Sequence, residues 1–76
     1  MMAEPKVINP ADVIFSRILT RTELYTLNEM RQRHKDELRW IARYAVMEGR
    51  TKVQDELLNM AIEEAAVWKA AMEIVE

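Results

Sequence analysis

Met47-Glu48-Gly49-Arg50-Thr51-Lys52-Val53-Gln54 is the stretch on which the fold turns. Gly49 is the single glycine of the chain and stands where a helix needs a left-handed residue beyond its last turn. Two residues later, Thr51 and Gln54 have the S/T-x-x-E/Q spacing of a capping box, in which each side chain satisfies a backbone N–H of the other. A helix stop and a helix start this close leave room only for an antiparallel hairpin.

Outward from this turn, both arms read as helices. Before it, a helix is expected from Arg21 to Glu48, with Leu24, Leu27, Met30, His34, Leu38, Ile41 and Ala45 on one stripe by 3.6-residue geometry. After it, a helix from Lys52 to Val75 carries Val53, Leu57, Met60, Ala61, Glu64, Trp68, Ala71, Met72 and Val75 on its own stripe. Residues 17–52 hold nine basic and five acidic side chains, residues 53–76 one basic and six acidic. Opposite net charges favour antiparallel pairing, although each exposed ion pair contributes under about 1 kcal/mol.

Further toward the N-terminus, Asn9-Pro10-Ala11-Asp12 is another helix start. Asn9 is the N-cap, Pro10 takes the first helical position, and Ile8 with Val13 has staple spacing. The resulting short helix is expected over residues 10–19. Thr20 and Glu23 repeat the capping-box pattern, with Leu19 and Leu24 as a second staple, so the chain should bend at Thr20. Residues 1–9 read as an extended segment and 10–76 as a single helical domain.

Composition removes several classes of function. The chain has 76 residues, no cysteine and a net charge of -2. Without cysteine there is no disulfide framework and no thiolate zinc site, and a cytoplasmic setting is expected. One glycine rules out a Gly-rich phosphate loop. The apolar runs are far shorter than the roughly 18 residues of a membrane span. Charge near balance argues against a strongly basic nucleic-acid coat. No cofactor is expected.

A chain this small seldom builds a core worth more than about 3–5 kcal/mol by itself. The expected remedy is association, giving an all-α fold in which two helical hairpins pair into a four-helix-bundle-like homodimer. Trp40, Tyr44 and Met47 line up at i, i+4 and i+7 on the side away from the stripe meeting the last helix. Around them only Arg39 and Arg43 are charged. Aromatics, methionine and arginine are enriched at interface centres, so these five residues are the expected protein interface, partly covered by the first helix folding back.

Two polar residues interrupt the stripes. His34 and Glu64 fall level with each other in the hairpin and are read as a polar pair in the core that fixes register. The same pair, with Glu37 and Glu63 nearby, is the only candidate for a metal or acid–base centre. The leading functional reading is a non-enzymatic regulator, adaptor or inhibitor that docks on proteins, itself included. The alternative is nucleic-acid binding through the basic row Arg39, Arg43 and Arg50.

Overall fold

A computed structural model describes residues 10–76 of the chain. The extended segment, the Asn9 cap and the Ile8 staple lie outside the described residues. Among the described residues all regular structure is helical: α1 over Pro10–Leu24, α2 over Leu27–Ala45 and α3 over Lys52–Val75. None of these helices is long and apolar enough to cross a membrane.

Local capping chemistry explains each start. Thr51 caps α3 as its spacing predicts. Its Oγ1 accepts from Gln54 N–H at 3.2 Å, and its own N–H donates to Gln54 Oε1 at 2.9 Å. The break between α1 and α2 falls six residues later than expected, because Thr26-Leu27-Asn28-Glu29 is a second T-x-x-E box and prevails. Thr26 Oγ1 accepts from Glu29 N–H at 3.2 Å and Thr26 N–H donates to Glu29 Oε1 at 3.0 Å. These bonds hold the Glu29 carboxyl below its ordinary range, the backbone N–H of Thr26 contributing most. Thr20 does not cap. Its hydroxyl donates back to Ser16 C=O at 2.8 Å within α1, a common use of threonine inside helices.

The end of α2 differs too. The helix stops at Ala45, three residues before the expected Glu48, and residues 46–51 form the connection. Gly49 does adopt the left-handed conformation, with φ 67°. Arg50 accounts for the earlier stop, since its Nη1 donates to the carbonyls of Tyr44 at 3.0 Å and Met47 at 3.2 Å. Its Nε meanwhile donates to Asp55 Oδ1 at 2.6 Å in the first turn of α3. One guanidinium therefore satisfies the open end of one helix and ties it to the start of the next.

α3 is the element on which the other two pack: α2 lies against it as the antiparallel arm, α1 packs on it as well, and contact between α1 and α2 is slight. Arg17 reaches Glu63 and Arg21 reaches Glu64, so α1 runs in the same direction as α3 where they meet. The core is small. Met30, Trp68 and Ala71 form its centre, with Ile18, Tyr25 and Met72 packed around them. The Tyr25 ring meets Trp68 edge-on, 5.0 Å between centroids at 86°.

Much apolar surface stays outside. The Cα atoms span 54 × 34 × 14 Å with a radius of gyration of 15.6 Å, against about 11 Å for a compact globule of this length. The stripe expected on α3 is buried at Ala61 and again around Trp68. Trp68 and Ala71 are covered there, whereas Val53, Leu57 and Met60 stand in solvent. On α2 the side facing α3 is centred on Met30, with Leu27, His34 and Ile41 half-buried and Leu38 exposed. α1 does not fold over Trp40; it leaves that ring 47% exposed and packs near Trp68 instead.

Candidate docking surface

α1 covers one end of the seam between α2 and α3, and the covered stretch ends at Glu64. Glu64 Oε2 accepts from Arg21 at 2.6 Å, while its other oxygen is bound by Arg17, which also donates to Glu63 at 2.6 Å. These carboxylates raise the Arg17 guanidinium further above its already high range, the Glu63 hydrogen bond first among the causes. Arg21 does a second job: its guanidinium lies 4.1 Å from the Trp68 ring centroid. It thus joins the ion pairs to the aromatic core. The i,i+4 spacing of Arg17 and Arg21, opposite Glu63-Glu64 and Trp68 on α3, carries this cluster. Sequence reading gave Glu64 to His34 instead.

The expected His34–Glu64 pair does not form. Both His34 and Glu64 are half-buried, but no hydrogen bond or ion pair joins them among the described residues. The two arginines of α1 supply what the carboxylate needs. Nor do three or more His, Asp or Glu side chains come together as metal ligands among the described residues.

Past Glu64 the seam opens into a groove of about 360 Å³. Its walls are Glu37, Trp40 and Tyr44 from α2 and Leu57, Met60, Ala61 and Glu64 from α3. Tyr44 therefore borders α3 rather than facing away from it. Trp40 and Tyr44 are stacked, 5.7 Å between centroids and 18° between planes, and the Arg43 guanidinium lies 5.6 Å from the Trp40 centroid. Their i,i+3 and i,i+4 spacing places all three on one strip of α2. Met47 does not take the expected i+7 place on this strip: α2 ends at Ala45, so Met47 lies in the connection, where it is also exposed.

At the inner end of the groove stands Glu37. Burial pushes its carboxyl above the ordinary range, and the nearby Glu64 and Asp36 carboxylates push the same way. Among the described residues Glu37 has no hydrogen bond or ion pair. On its far side a polar recess of about 420 Å³ is bounded by Arg33, Asp36, Glu37, Arg39, Trp40 and Arg43. Arg39 is mostly in solvent, 3.9 Å from Asp36. Arg50 does not continue the basic row, since it is bonded to the turn.

This is an apolar trough with the Glu37 and Glu64 carboxylates in its walls, and the arginines of α2 line the recess on the other side of Trp40. Such a surface can receive a row of apolar side chains and orient it by charge. Compared with protein families, curated proteins and solved structures, the chain finds no significant match.

Proposed function

We propose that this chain is a non-enzymatic helical interaction protein, a regulator, adaptor or inhibitor that works by docking on proteins as a homo-oligomer. Its hairpins pair into a four-helix-bundle-like homodimer, and Trp40, Tyr44, Met47, Arg39 and Arg43 form the contact surface. The cysteine-free composition agrees with a cytoplasmic setting. One observation carries the reading: a stacked Trp40–Tyr44 pair, with Arg43 over the indole, borders an apolar groove that no part of the described chain fills. Large aromatic side chains held rigid at a half-open groove are the usual anchors of protein interfaces.

Light scattering over a concentration series, with wild type and Trp40→Ala side by side, tests it. Wild type should self-associate. Trp40→Ala should keep its helical circular dichroism while losing association. Loss of the fold in Trp40→Ala would make the indole a core residue and end this reading.

A further inference from the structure

The groove and α1 are both half used, and the unused halves match. On α1, Ile14, Ile18, Arg21 and Tyr25 follow one stripe at i, i+4, i+7 and i+11. Ile18, Arg21 and Tyr25 pack against the core, but Ile14 remains 41% exposed. Beside it Phe15 is 57% exposed and Leu19 also stands in solvent. The N-terminal half of α1 thus carries an apolar face left in solvent. On α2 and α3 the seam that supports the other half of α1 continues past Glu64 as the open groove between Trp40, Leu57 and Met60.

We infer that two copies of this chain close each other by reciprocal exchange of these halves: Ile14, Phe15 and Leu19 of each copy occupy the Trp40–Leu57–Met60 groove of its partner. The inference rests on the homo-oligomer reading above and names the segment that fills the groove. Two arguments commit the site to a second copy. The groove is continuous with the seam on which α1 already packs, so a helix of the same kind suits its shape. Area agrees too. In a two-fold pair every contact is made twice. Covering these six side chains on both copies would remove on the order of 1,300 Å² from water, within the standard range for stable, specific interfaces.

The chain has no cysteine of its own, which makes the test direct. A Phe15→Cys chain is mixed with a Met60→Cys chain carrying a mass tag, oxidised mildly, and analysed by mass spectrometry. Ile62→Cys, exposed on another side of α3, replaces Met60→Cys as the control. The expected result is a 15–60 disulfide between unlike chains at least tenfold faster than a 15–62 disulfide. In parallel, Phe15→Asp should weaken self-association at least tenfold while helicity and the buried emission of Trp68 stay intact. A wild-type dimer that forms no 15–60 disulfide, or that Phe15→Asp leaves unchanged, overturns the exchange while the homo-oligomer reading stands. A wild-type monomer at tens of micromolar overturns both.

Discussion

Replacing Arg21 by alanine should loosen α1 from the hairpin without melting the hairpin itself. The magnitude follows from what the side chain touches. A guanidinium 4.1 Å from the Trp68 centroid, with a side chain only 21% exposed, contributes about 1–2 kcal/mol through cation–π attraction. The ion pair to Glu64 adds roughly 0.5–1 kcal/mol after allowance for solvent, since Arg17 still holds the other carboxylate oxygen. Burial of the side-chain methylenes adds on the order of 1 kcal/mol. The expected loss is about 3 kcal/mol, a factor of roughly a hundred in the docking equilibrium of α1. A Trp40→Phe background makes Trp68 the sole indole, and its emission reports whether α1 is in place. Urea titrations at fixed protein concentration should show the lower midpoint, with Trp68 emission moving to the red and becoming open to acrylamide. Arg21→Lys should recover only part, because an ammonium lacks the flat face that stacks on indole. Unchanged stability, within about 0.5 kcal/mol, together with an unshifted Trp68 emission would refute the reasoning.

Two further outcomes follow from the same geometry. Glu37 has a raised pKa in the folded chain, so its neutral form fits the fold better than its charged form. Its share of stability is complete below the unfolded carboxyl range and is lost as pH rises through the folded value. Glu37→Gln should therefore raise the urea midpoint at neutral pH, and the difference from wild type should vanish near pH 3. Gly49→Ala meets no atom within 4 Å of the added methyl, yet places a Cβ on a residue at φ 67°. Thermal unfolding should show a loss of about 1 kcal/mol with no change in the folded spectrum.

The sequence makes the hairpin plain because its signals are local and unopposed. Thr51 with Gln54 has no competing cap nearby, and Gly49 is the only residue in the connection able to turn left-handed without strain. Level positions in the arms also fall where antiparallel spacing puts them, Met30 beside Trp68 and Ala71. At the α1–α2 junction two identical capping grammars compete within six residues. Local spacing alone does not rank Thr20 against Thr26. Tertiary packing decides, since carrying α1 through Leu24 brings Arg21 and Tyr25 onto the stripe of Ile18, where both reach Trp68. The Trp40 row was legible as an aromatic strip with arginines. Its trough was not, because α1 leaves that end of the seam open by packing on the other. The partner of Glu64 was missed for the same reason: the arginines that bind it come from 43 and 47 residues away.

Because α3 is the shared support, the order in which the chain emerges from the ribosome matters. Both α1 and α2 are synthesised before the helix that shelters them, and they offer each other little. A chain stalled at residue 51 would hold two amphipathic segments with no common interior, a substrate for chaperones and proteases. Stability thus arrives with α3 and all at once, when the indole of Trp68 becomes available to both earlier helices.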